Sequence, residues 1–188
     1  QRRRRNAAAK AMIAAAAARL IGPRETIGLD VGTTVLALAD EIAVRADLRF
    51  FTHNVRAAIR LAGSRSPVYL LGGQLRDSEL SLIGAGVVAQ VREYFFDRVF
   101  IGVSGIIEAG LYDYSLEDSE VKRALIERAG EVVVLCDASK FDHHSLARVC
   151  DWDAVDVLVT NLPPPPHLAA TLDAAEVRVI VAGASDPV

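Results

Sequence analysis

Five short stretches of this 188-residue chain combine glycine, hydroxyl, amide and charged side chains in patterns suited to holding an oxyanion. In Asp30-Val31-Gly32-Thr33-Thr34 the glycine permits a sharp turn, and a helix opening at the threonines would aim free backbone N–H groups and two hydroxyls outward. A phosphate or carboxylate fits such a turn; a plain helix cap by Thr33 or Thr34 is the other reading. Thr52-His53-Asn54 adds an amide at Asn54. Gly72-Gly73-Gln74-Leu75-Arg76 sets two glycines, which let a ligand or another backbone approach, beside a guanidinium able to grip an oxyanion. A tight turn with Arg76 in solvent accounts for it as well. Gly102 and Gly105 bracket Val103-Ser104 in a glycine-shaped loop, and Asp137-Ala138-Ser139-Lys140 puts a carboxylate and an ammonium close together. That lysine is either a point charge for phosphate or one half of an ion pair with Asp137. Lys122 sits near the start of a helix with Glu117, Asp118 and Glu120 in its first turn; the acids suit the helix dipole and the lysine does not. It joins a site only if it faces a strand edge.

Strands alternating with helices are needed to position these loops, and the apolar pattern supplies them. Helices are expected over residues 6–20 (capped by Asn6 and stopped by Gly22-Pro23), 33–44, 55–62, 87–94, 117–129 and 168–174. Strands are expected at 26–29, 48–51, 68–71, 99–103, 132–136, 155–159 and 177–181, several of them unbroken Val/Ile/Leu runs. Runs of that kind belong to a parallel sheet buried on both faces, an α/β fold with helices on either side. Ligands of such sheets bind beyond the carboxyl ends of the strands, which is where all five loops fall.

Composition narrows the function. A chain that is 52% hydrophobic and 24% charged folds as an ordinary globular domain, and at this length it buries roughly 70% of the surface of its unfolded form. The net charge of −3 hides an asymmetry: without Arg2–Arg5, 17 basic residues face 24 acidic ones, a balance of −7. A nucleic-acid-binding face on that acidic body is not expected, and the arginines read as a solvated tail. No apolar run reaches the roughly 18 residues of a membrane helix, and no secretory signal follows Gln1-Arg2. Two cysteines, Cys136 and Cys150, make no disulfide framework, so a reduced cytoplasmic setting and no membrane contact are expected. The four histidines lack metal-ligand spacing, and Ser104 lacks the Gly-x-Ser-x-Gly frame of a nucleophile elbow. Neither metal nor cofactor is implied.

Taken together, Asp30–Thr34, Leu71–Arg76, Phe100–Ile106, Glu120-Val121-Lys122-Arg123 and Asp137–Phe141 occur in the order found in the sensor domain of DeoR-type bacterial transcriptional regulators, and Gly110–Ser115 fits between them. The resemblance runs from about Lys10 to Leu162. It implies a ribose-5-phosphate-isomerase/CoA-transferase-like fold and a domain that binds a phosphorylated sugar or related metabolite. That binding would modulate DNA binding, in carbohydrate metabolism, by a separate winged helix-turn-helix. On this resemblance residues 1–9 are a linker remnant and 10–188 the sensor, with the helix-turn-helix outside the chain, a homo-oligomer (dimer or tetramer) as the working form and repression as the output. The ligand residues implied are Asp30, Gly32, Thr33, Thr34, Asn54, Gly72, Gly73, Arg76, Gly102, Gly105, Lys122, Asp137 and Lys140, with no catalytic residue.

Two rival readings remain. The isomerases that share the fold carry an Asp-Gly-Ala-Asp-Glu stretch where this chain has Gly102–Ile106; proton transfer between carbons needs such carboxylates, and only Glu120 is a candidate for one. A pure oligomerisation module would use the small side chains of Ala7–Ala18 for close helix packing. Departures from the family pattern are His53 inside Thr52-His53-Asn54, which is expected to alter ligand choice, Asn161 in place of an aspartate, and Pro163–Pro166, which stiffens its connection.

Overall fold

Apolar runs spaced by helices assemble into one seven-stranded parallel sheet in a computed structural model that describes residues 2–183, with side chains from residue 7 onward. In chain order the first half comprises α1 (Arg2–Ala18), β1 (Thr26–Leu29), α2 (Thr33–Ile42), β2 (Arg49–Thr52), α3 (Val55–Leu61), β3 (Val68–Leu70), β4 (Gln74–Arg76), β5 (Ser81–Ile83) and α4 (Ala85–Arg92). The second half comprises β6 (Phe96–Gly102), β7 (Gly105–Ile107), β8 (Gly110–Asp113), α5 (Leu116–Glu127), β9 (Ala129–Leu135), β10 (Ala147–Cys150), β11 (Val157–Thr160), α6 (Pro166–Ala174) and β12 (Arg178–Val181). The main sheet runs β12-β11-β9-β6-β1-β2-β3.

Successive side chains of a strand point to opposite faces, and here that alternation divides the core in two. Val99 and Ile101 of β6, Val132 and Val134 of β9 and Leu158 of β11 pack with α4, α5 and α6. Phe100, Val133, Leu135, Val157 and Val159 point the other way, into a second cluster with α1, α2 and α3. Both faces are covered, as the unbroken runs require.

Several details differ from expectation. The first helix is already helical at Arg2, so Asn6 lies inside it, and the boundary expected between residues 9 and 10 falls within a continuous helix; the side chains of Arg2–Asn6 lie outside the described residues. The alanine face of α1 is used within the chain: Ala14, Ala16 and Ala17 are buried with Ile13 in the cluster that includes α2. Two small antiparallel sheets, β10-β8-β7 and β4-β5, were not expected at all. Gln74–Arg76, within the stretch read as the loop Gly72–Arg76, is a strand in one of them, and Gly105, the end of the loop read over Gly102–Gly105, opens the strand Gly105–Ile107 in the other; at three residues each they are too short to show alternation. Pro165 and Pro166 stand at the N-cap and first turn of α6, where a proline's missing N–H costs nothing. No described helix is long and apolar enough to cross a membrane.

Candidate functional site

Three of the five expected loops, those after β1, β6 and β9, line one cleft beyond the carboxyl ends of the strands, and the loop after β2 borders a small annex of it. The cleft there holds about 220 Å³. Gly32 opens it with φ +119°, a conformation that L side chains rarely adopt, and so places the start of α2 at the cleft wall. No side chain caps α2; the first bond inside the helix is Leu36 N–H to the Gly32 carbonyl, so the preceding N–H groups stay available. The cap reading for Thr33 and Thr34 therefore fails, and both line the cleft. Gly102 sits opposite so closely that a Cβ there would lie 2.6 Å from the Val31 carbonyl oxygen.

Beneath this floor lies a closed network of charge. Asp30 is fully buried and accepts from the Gly102 N–H at 2.9 Å through Oδ2, which also meets the Lys122 ammonium. Lys122 Nζ also donates to the Gly102 carbonyl at 3.0 Å and pairs with Asp113 Oδ2 at 3.1 Å. His53 stands on the other side, Nε2 3.0 Å from Asp30 Oδ1 and Nδ1 3.0 Å from the Leu82 carbonyl. His53 is fully buried and does not line the cleft, and it reaches the cleft floor only through Asp30.

Burial works to raise the Asp30 carboxyl, but Lys122 and His53 outweigh it and hold the group below its ordinary 3.8. Burial likewise works against the Lys122 ammonium, and Asp30 and Asp113 more than offset it, holding the group above its ordinary 10.5. Asp30 thus adds stability that is lost as pH falls through its lowered value. Lys122 adds stability that is fully present up to about pH 10.5 and is lost as pH rises through its higher one. Urea midpoints of wild type and Lys122→Met should therefore differ most near neutral pH, and the gap should narrow on acidification, because Asp30, left buried without the ammonium, takes up a proton more readily in the variant. A gap that grows on acidification would contradict the assignment.

Among the expected residues, Gly32, Thr33, Thr34, Gly102, Lys122, Asp137 and Lys140 line the cleft together. Asp30 lies one layer behind. Asn54 caps α3 by accepting from the Ala57 N–H at 3.2 Å and lines only a small annex shared with Gly32, Thr33 and Arg56. Gly72, Gly73, Arg76 and Gly105 do not line the cleft. Gln90 holds both backbone groups of Gly72, at 3.0 and 2.8 Å, and a Cβ on Gly73 would strike Val87 and the Ile83 carbonyl. A Cβ on Gly105 would strike the His143 carbonyl. Arg76 pairs with Asp118 Oδ2 at 2.8 Å and lies 5.3 Å above the Tyr114 ring.

The Asp137–Lys140 ion pair, the alternative to a phosphate-binding role for that lysine, does not form. Asp137 Oδ1 instead accepts from the Ser139 N–H at 3.0 Å and from its hydroxyl, while Asn161 Oδ1 steadies the same turn through the Ala138 N–H at 2.8 Å. Lys140 is in no ion pair among the described residues. Glu120, the isomerase candidate, is exposed and outside the cleft. Sequence reasoning missed Lys10, Glu79, Ser104, Asp113, Tyr114 and Asp118 as lining residues. Asp113 and Tyr114 lie within Gly110–Ser115, a segment noticed for its pattern but not read for chemistry. Cys136 also lines the cleft, yet burial, with Asp137 next to it, pushes its thiol well up; Cys150 is pushed up to about 12, also by burial first. Both are free and held as unreactive thiols.

A family model described as the DeoR C terminal sensor domain matches residues 5–162. The HTH-type transcriptional repressor GlcR of Bacillus subtilis (strain 168) is 32% identical over 166 residues, 88% of this chain and 64% of that protein. The glycerol-3-phosphate regulon repressor of Escherichia coli (strain K12) is 30% identical over 165 residues, 87% of this chain and 66% of that protein. The chain therefore spans about two thirds of the length of these curated relatives. Among solved structures, ribose 5-phosphate isomerase A from Methanocaldococcus jannaschii superposes with a TM-score of 0.51 at 21% identity, covering 70% of this chain and 53% of that one. eIF2B beta from Chaetomium thermophilum gives 0.59 at 19% identity, covering 89% and 53%. Those two likenesses establish the ribose-5-phosphate-isomerase-like fold. With five motifs in family order and repressors among its relatives, the chain belongs to the family of DeoR C-terminal sensor domains.

Proposed function

We propose that the cleft binds a phosphorylated sugar or a related polyol phosphate, and that this binding modulates a repressor of carbohydrate metabolism. The observation that carries the reading is the uncapped start of α2 facing a cleft that Lys140 also lines. Helix N-termini of that kind hold phosphate through N–H groups and the helix dipole. Ser104, Asp113, Asp118 and Glu79, lining the same cleft, offer oxygen atoms to the hydroxyls of a polyol. Of these, Asp118 Oδ1 is buried and has no hydrogen-bond partner. DNA contact, on this reading, falls to a separate domain, since the acidic body suits neither groove nor backbone. The exposed Tyr69 and Leu70 on edge strand β3 fit assembly into a homo-oligomer.

A thermal-shift panel of glycerol 3-phosphate, ribose 5-phosphate and inorganic phosphate, with glycerol and ribose as controls, tests this. A true ligand at a hundredfold excess over Kd adds about 2.7 kcal/mol of stability, a rise of roughly 5–10 °C for a chain of this size. A folded protein that none of the phosphorylated compounds stabilises would overturn the proposal. The isomerase reading draws support from Asp113 and Asp118, two carboxylates that line the cleft. Asp113 is committed to Lys122 and to the Ser104 hydroxyl at 3.1 Å, which leaves it poorly placed as a base. Formation of ketose from ribose 5-phosphate by the wild-type chain would favour that reading instead.

A further inference from the structure

Most charged groups that line the cleft are already engaged. Lys122 is held by Asp30 and Asp113, Asp118 by Arg76, Asp137 by Ser139, and Glu79 accepts from the Tyr114 hydroxyl at 2.9 Å. Two of the cations that line the cleft remain without an ion-pair partner among the described residues, Lys140 and Lys10. Lys10 is the only cleft residue supplied by α1 among those described.

Its position on that helix gives it a second significance. Residues 10, 13, 14 and 17 share one helical face. Ile13, Ala14 and Ala17 are fully buried against α2 and the sheet, whereas Ala7 and Ala8 are exposed. Lys10 is half-buried and continues the buried stripe by one turn, at the point where α1 leaves the core. Beyond it eight helical residues, Arg2–Ala9, extend for roughly 12 Å at the usual 1.5 Å rise.

We propose that Lys10 is a ligand contact through which occupancy of the cleft is transmitted to α1. The proposal rests on the cleft being an anion site. An oxyanion between the start of α2 and Lys10 draws the lysine inward and restrains the turn of α1 on either side of it. With the cleft empty, no ion pair among the described residues ties Lys10 to the site, and the turn around it opens more readily. The change in order of α1 is then the output available to anything joined to its N-terminal end.

Hydrogen exchange of the 188-residue chain, with glycerol 3-phosphate and inorganic phosphate as probes, separates the possibilities. In wild type at saturating probe, amides around residues 7–13 should exchange about three- to tenfold more slowly than without it. Lys10→Ala should bind about five- to thirtyfold more weakly and, once saturated, show no slowing in α1. Lys140→Ala should also bind more weakly yet keep the slowing at saturation, and Lys10→Arg should restore it. Failure of both probes to bind wild type overturns the anion reading and this proposal with it. Binding without slowing of α1, or slowing that survives in Lys10→Ala, overturns the proposal alone.

Discussion

Lys122→Met should lower the stability of the unliganded chain by about 3–5 kcal/mol, the usual cost of removing one partner from a buried ion pair. That is roughly 6–20 °C in Tm for a chain of this size. Methionine keeps most of the lysine's length and volume, so the loss reports charge rather than a cavity. Without the ammonium, Asp30 and Asp113 remain buried, and the Gly102 carbonyl loses its donor. Each unpaired acceptor carries a desolvation cost of its own. Asp113→Asn in the Lys122→Met background should recover part of the loss, because it removes one of the two stranded charges; distant sites would instead add. Urea unfolding of wild type, Lys122→Met, Asp113→Asn and the double variant measures both effects. A Lys122→Met chain within about 1 kcal/mol of wild type would show that the network does not hold the floor of the cleft.

This network also marks where sequence reading stops. Asp30 and Lys122 lie 92 residues apart, Asp30 and Gly102 72 apart, and Asp30 and His53 23 apart, so no spacing pattern links them. Each sat in a stretch that looked chemical, but only the folded sheet brings the ends of β1, β2 and β6 together with the middle of α5. The sheet itself was readable because strands buried on both faces carry unbroken apolar runs. β7 and β8 were not, since three or four residues of mixed type show neither a run nor an alternation. Glycines were readable as special without being readable as functional. Gly32 and Gly102 let two loops close over the cleft floor, while Gly73 and Gly105 relieve contacts with Val87, Ile83 and His143 away from it. Close approach is a property of the partner backbone, and the partner is invisible from the glycine alone. The alanines of α1 show the same limit: small side chains foretold tight packing, but against α2 of the same chain.

Lys140→Ala should weaken binding of a phosphorylated ligand about ten- to a hundredfold while leaving the unliganded fold almost unchanged. The lysine ends a single 3-10 turn, Ala138–Lys140, that follows β9 at the ligand edge of the sheet. That turn owes its shape to other groups. Asp137 binds Ser139, the Lys140 N–H donates to the Asp137 carbonyl at 3.0 Å, and Asn161 holds the Ala138 N–H. Truncating the side chain at Cβ removes none of these bonds, so the turn should persist. The ammonium needs no release from Asp137 before it meets a ligand, since Asp137 is already occupied. A charge-assisted hydrogen bond to an oxyanion contributes roughly 1.5–3 kcal/mol, which is about one to two powers of ten in Kd. Arginine at this position should recover part of the affinity, because it keeps the charge while changing the reach. Titration calorimetry with glycerol 3-phosphate, alongside thermal unfolding without ligand, reads both quantities. An unchanged Kd with a lowered Tm would make Lys140 a structural residue of the turn and leave the phosphate to α2 alone.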